Sequence, residues 1–215
     1  MDALPCAMVA TGHGLQVPAD AAQFILIQRP YLIDAVGQAY AADVRRDYEE
    51  LRPWLPPSAE HVLDIGAGMA GIDVLLYRHY GQVMLHLLDG TGVGKIKGGY
   101  AAAMQVYNSR SVAERFLAAN GIPASHIRHW EPYQNHVIEC DLLISLSSWG
   151  LHYPIAAYLE TARRSLRPGG RLILDIRRQT DGEAELAAYF EPLAVLRDEA
   201  KFRRLVLAAG ESAVR

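Results

Sequence analysis

The chain has 215 residues, with 21 basic and 24 acidic side chains for a formal charge of −3, and is 51% apolar and 21% charged. That suits one globular domain with a short extension and excludes a disordered or collagen-like chain. The mild acidity and the absence of a long basic run give no electrostatic reason to expect nucleic acid or a membrane surface as partner, so neither is expected.

Residues 3–19 are uncharged and broken by Gly, His, Gln, Thr and Pro, with no basic flank. They read as a loose N-terminal arm and not as a signal peptide. Residues 20–51 carry apolar positions at helical spacing, and Pro30 divides a short helix from a longer one starting near Tyr31. RPWLPP (52–57) is a stop signal, so residues 1–57 form an extension and 58–215 the main domain. HVLDI (61–65) predicts a strand, GAGMAG (66–71) a turn, and IDVLLYRHY a helix. VMLHLL (83–88) is the next strand and ends at Asp89; SVAERFLAAN (111–120) is helical, and HIRHW (126–130) and DLLISL (141–146) are strands. Residues 154–166 form a helix ending in RPGG, followed by RLILDI (171–176), the helical GEAELAAYF, and the strands PLAVLR and RRLVLA. Strands separated by helices imply a parallel sheet covered on both faces. DEAKF is too short for a parallel crossover, so the last two strands pair antiparallel. The expectation is an α/β fold with a seven-stranded, mostly parallel sheet and one reversed C-terminal strand. The uncharged run 142–159 contains serines, a His and a Pro, and reads as strand and loop, not a membrane span. Cys6 and Cys140 form no CxxC pair, and with no span this predicts a cytoplasmic, reducing setting.

Gly66, Gly68 and Gly71 spell GxGxxG between a strand and a helix, where backbone without Cβ atoms lets a bulky ligand approach the positive helix end. Asp89, 18 positions beyond Gly71, ends the second strand, where a ribose diol is gripped. The motif fits dinucleotide-binding proteins equally.

VLDIGAG (62–68), Asp89, DLLISL and LRPGGRLIL (166–174) together resemble the class I, Rossmann-like S-adenosylmethionine-dependent methyltransferases. The resemblance spans residues 61–209, and the LRPGG turn is its most specific element. It implies S-adenosylmethionine as cofactor, with Asp64 supporting the methionine end. Gly66, Ala67 and Gly68 would form the loop, Asp89 the ribose acid, Asp141 would open the fourth strand, and Ser145 near its end would be a further cofactor contact. Glu131, beside Trp130 after the third strand, stands where the family places an acid near adenine.

Residues 90–110, with five glycines, are long for a connection at the carboxyl edge of the sheet. They read as part of a lid, with Tyr107 and Asn108 as polar contacts. SSWGLHYP (147–154) follows the fourth strand and offers His152 as a general base, with Trp149 and Tyr153 lining an acceptor pocket. No metal-ligand spacing and no nucleophile elbow occur. The expectation is methyl transfer to a small-molecule hydroxyl, on a sugar, a nucleotide sugar or a hydroxylated metabolite. A nicotinamide-dependent oxidoreductase and a cofactor-binding protein without turnover are the competing readings. LRPGG, the terminal hairpin and the lack of a Tyr-x-x-x-Lys pair count against the oxidoreductase.

Overall fold

The computed structural model describes residues 8–32, 34–93, 100, 107–132, 134 and 136–209. Each run read as a strand from His61 onward becomes one. Strand β1 (Met8–Ala10) and strand β2 (Gln16–Pro18) precede helix α1 (Ala22–Gln28) and helix α2 (Val36–Leu51). The chain then runs through β3 (His61–Ile65), α3 (Gly71–Tyr80), β4 (Met84–Leu88), β5 (Gly92–Val93), β6 (Tyr107–Asn108), α4 (Arg110–Ala119) and β7 (Ile127–Trp130). It finishes with β8 (Cys140–Ser145), α5 (Leu159–Ser165), β9 (Leu166–Arg177), α6 (Gly182–Ala187), β10 (Phe190–Asp198) and β11 (Phe202–Ala209). Seven strands form one sheet in the order β10-β11-β9-β8-β3-β4-β7. All neighbours from β9 to β7 are parallel, whereas β11 is antiparallel to both β9 and β10. The short hairpin turn forces that reversal, as expected from the sequence.

The period-two alternation of each strand splits the core into two layers. Val62, Leu142, Ile144, Ile173 and Val206 face α2, α3 and α4, packing with Val44, Leu75 and Phe116. Leu63, Leu143, Leu172, Leu174 and Leu205 face the other way, onto Tyr158, Ala162 and Leu186. Asp64 shares the α3 side with Val62, and that parity is what aims its carboxyl under the glycine turn.

The N-terminal arm departs from expectation. From Met8 on it is not loose: β1 and β2 pair antiparallel, Leu15 and Val17 are buried, and the Asn120 side chain bonds both the N–H and the C=O of Gln16, at 2.9 and 2.8 Å. Its apolar residues find a partner in α4 that lies about a hundred positions away, which local sequence does not reveal. The second helix starts at Val36, after Ala35 in the left-handed conformation (φ 46°), and not near Tyr31. Arg29 and Tyr31 fold back onto the buried carboxylate of Asp43, and this holds the intervening chain out of the helix. The RPGG segment belongs to the start of β9, not to a helix end: Asp141 accepts the N–H groups of Glu60 and His61 and pairs with Arg167, tying the starts of β3, β8 and β9 together. Among the described residues no helix is long and apolar enough to cross a membrane.

Arg204 on β11 is 1% exposed and lies opposite Asp175 of β9 in the ladder. Its guanidinium grips both oxygens of Asp175, at 2.7 and 3.0 Å, and reaches Asp47 and Glu50 of α2, each at 2.9 Å. Burial alone would raise the Asp47 carboxyl, but Arg204, Arg29 and Arg197 outweigh it and hold Asp47 below the usual carboxylate range. A buried ion group of this kind adds little over an apolar isostere, whereas removing one member strands the others. Arg204→Ala is therefore expected to cost about 3–5 kcal/mol in denaturant unfolding, since it leaves Asp175 and Asp47 buried without this partner. Because the folded Asp47 titrates below its unfolded value, its stabilisation is present above about pH 4 and is lost as pH falls further. The variant should lose that part of the acid limb, and a cost under about 1 kcal/mol would show that the cluster does not hold the helix.

Candidate functional site

At the carboxyl edge of the sheet the chain leaves β3 through Gly66 (φ +82°) and Gly68 (φ +56°), then enters α3 after Ala70, also left-handed. Gly66 N–H donates to Leu88 C=O at 2.8 Å, pinning the turn to β4. Both glycines sit at positive φ, where a side chain is strained, and both are covered closely. A Cβ on Gly66 would overlap the Ser148 side chain, and one on Gly68 would come within 2.7 Å of Gln28 Oε1. Gln28, at the end of α1, also donates to Tyr107 C=O at 3.1 Å, so α1 lies across the loop. Tyr40 of α2 accepts the Gly71 N–H at 3.1 Å, and its ring carries the Arg29 guanidinium. The extension thus supplies one wall of the cavity.

That cavity has a volume of about 340 Å³. It brings together Asp64, Gly66, Ala67, Gly68, Asp89, Tyr107, Asn108, His152 and Tyr153 from the sequence reading. Asp89 accepts the Gly68 N–H at 2.7 Å and the Asn108 Nδ2 at 3.2 Å, and Asn108 also donates to Gly68 C=O at 2.7 Å. Asn108 therefore clamps the glycine turn to the acid of β4. Burial pushes the Asp89 carboxyl up to about 6 against these two donors and the Gly90 N–H. Asp64 is driven well above its usual range by burial and by the charges of Asp73 and Asp89.

Three expected residues stand outside this cavity. Ser145 is fully buried, donating to Ile65 C=O at 2.7 Å and accepting the Trp149 N–H at 2.9 Å, so it stitches two loops from beneath. Trp149 is core: it has no exposed surface and its indole donates to Ile155 C=O at 2.9 Å. Glu131 pairs with Arg110 at the surface, and the Trp130 indole donates to His86 at 3.1 Å. Of the connection read as a lid, residues 94–99 and 101–106 lie outside the described residues; its described ends pair antiparallel as β5 and β6.

Sequence reasoning missed several wall residues. Ser147 and Ser148 stand in the segment already singled out. Ser147 holds a left-handed φ of 56°, with its N–H on Asp175 Oδ2 at 2.9 Å. Ser148 Oγ and Tyr153 Oη lie 3.1 Å apart above Gly66, and burial raises the Tyr153 phenol well above its usual value, so it stays protonated. Gln28, Arg29, Tyr40 and Asp47 line the cavity from the extension, where no motif marks them.

No family model and no curated protein matches the sequence. Many solved structures share the fold. StiE O-MT superposes with a TM-score of 0.58 at 12% identity, over 86% of this chain and 81% of that one. TrmN from Thermus thermophilus gives 0.56 at 18%, over 78% of this chain and 49% of that one. The ribosomal protein L11 methylase from Lactobacillus delbrueckii subsp. bulgaricus gives 0.53 at 14%, over 80% of each. A ribosomal protein methylase thus stands beside StiE O-MT on this fold. A fold that also carries an enzyme of a macromolecular acceptor overturns the expectation that nucleic acid has no place as a partner: a summed charge of −3 says nothing about the local surface where an acceptor docks. These superpositions give the chain the class I Rossmann-like methyltransferase fold.

Proposed function

We propose that the protein transfers a methyl group from S-adenosylmethionine to a hydroxyl of a small molecule. The observation that carries this reading is the convergence, in one cavity, of Asp64, a glycine turn held at positive φ, and Asp89 at the end of the neighbouring strand. The residues fit the cofactor: Asp64 would face its ammonium end, the Gly66–Gly68 backbone its close approach, and Asp89 its ribose hydroxyls. When bound, the cofactor supplies a methyl already activated on sulfonium, so the chain's task is alignment and proton removal. His152 takes the proton from the acceptor hydroxyl, while Ser148 and Tyr153 orient that oxygen over Gly66. The wall made by Gln28, Arg29 and Tyr40 supports a small acceptor, because it covers the glycine turn.

The test is product analysis with S-adenosylmethionine and three acceptor panels: hydroxylated small molecules, a tRNA transcript and a ribosomal protein. Methylation of a hydroxylated small molecule is expected; turnover of a macromolecule alone would reassign the acceptor, and tight binding of NAD(H) in place of S-adenosylhomocysteine would overturn the reading.

Two substitutions separate binding from chemistry. Asp89→Ala should weaken S-adenosylhomocysteine binding by about 1.5–3 kcal/mol, the range for hydrogen bonds to a charged group. Unchanged affinity in calorimetry on the folded variant would remove Asp89 from the ribose site. His152→Ala should lower kcat by about 10²–10⁴-fold while cofactor affinity barely moves. The wild-type rate should rise with pH through a single ionisation that the variant lacks, and a near-normal kcat would sink the base assignment.

A further inference from the structure

Asp73 takes no part in the chemistry described so far. It stands in the first turn of α3 with no exposed surface, and among the described residues no other residue donates a hydrogen bond to either of its carboxyl oxygens. The group it faces is the carboxyl of Asp64, 3% exposed and part of the cavity wall. Two ionised carboxylates repel at this depth, and a hydrogen bond between them exists only when one keeps its proton. Burial pushes Asp73 up to about 7 and Asp64 well above its usual range. The surrounding groups do not neutralise the pair. Asp89, from the end of β4, adds a third acid; Tyr40 of α2 and Tyr153 stay protonated; Arg29 from α1 is engaged with Asp43 and Asp47.

We propose that Asp64 and Asp73 share one proton beneath the glycine turn, and that a ligand cation arriving at Asp64 expels it, making Asp73 a positioning residue whose charge appears only when the ammonium end of the cofactor is in place. The step balances: the Asp73 carboxylic acid becomes a carboxylate, the proton passes to solvent, and the incoming ammonium compensates the new charge. Before binding, the pair avoids two adjacent anions; afterwards the site is doubly anionic where a cation sits. The inference rests on the reading of the cavity as an S-adenosylmethionine site.

Calorimetry of S-adenosylhomocysteine binding at about pH 6.5, in buffers of differing ionisation enthalpy, counts the protons released. The wild type should release a large fraction of one proton. Asp73→Asn fills the same space and gives Asp64 a permanent donor; it should bind within about tenfold of wild type and release much less. 5′-Methylthioadenosine has the ribose and base but no ammonium. It should release little from the wild type, and this comparison needs no variant, so it stands even where Asp73→Asn folds poorly. Asp89 titrates alike with both ligands and drops out of their difference. Equal release by wild type and Asp73→Asn, or by the two ligands, overturns the shared proton alone. Failure of S-adenosylhomocysteine to bind the wild type overturns the cofactor reading, and the inference with it.

Discussion

The buried guanidinium of Arg204 is the contact on which the arrangement of the site depends. It exists because the last strand is reversed: antiparallel pairing of β11 with β9 sets Arg204 opposite Asp175. From there it reaches across to Asp47 and Glu50, so the N-terminal helix α2 is fastened to the C-terminal strand by charge as well as by packing. Asp175 in turn accepts the Ser147 N–H and steadies a residue held in left-handed backbone. One cluster therefore sets two walls of the cavity, the α2 side with Tyr40 and Asp47 and the loop after β8 with Ser147 and Ser148. Burying this much charge is costly unless every member is paired. That makes the arrangement intolerant of single substitutions, and it gives the site a fixed frame.

The cavity is built on the opposite electrostatic principle. Asp64, Asp73 and Asp89 are all pushed upward, chiefly by burial, and among the described residues no arginine is committed to them as Arg204 is to Asp175. Buried carboxyls of this kind are disfavoured as anions until an opposite charge or a donor reaches them. The cluster under α2 contributes stability, whereas the acids under the glycine turn cost some of it. Tyr40 joins the two regions: its hydroxyl caps the first turn of α3 beside Asp73, and its ring bears Arg29, which is tied to the first cluster.

Much of this was legible from local pattern. The alternation in HVLDI and DLLISL locates strands, and it also gives the side of the sheet to which Asp64 belongs. The punctuation of GAGMAG marks the turn that Gly66 and Gly68 make, and Asp89 is placed by counting from it. The short link between the last two runs dictates antiparallel pairing. Other readings failed where long-range contacts decide. Trp149 looked like a pocket aromatic because it sits beside His152, yet its indole found the Ile155 carbonyl and turned inward. Ser145 and Glu131 were likewise placed by their order along the chain, which gives the end of a strand but not the direction in which a side chain is pulled.

The amino-acid sequence by itself determined the seven strands of the main sheet, their parallel and antiparallel sense, and the glycine turn with its acid, because each follows from a few neighbouring residues and their backbone preferences. The tertiary structure alone decided that the N-terminal hairpin docks on α4, that Gln28 and Tyr40 close over the turn, and that Asp73 faces Asp64 with no donor. These depend on distances between segments tens to more than a hundred residues apart, set by how two core layers pack around the sheet. The burial that shifts a carboxyl or hides a guanidinium is a property of that packing, and no stretch of sequence carries it.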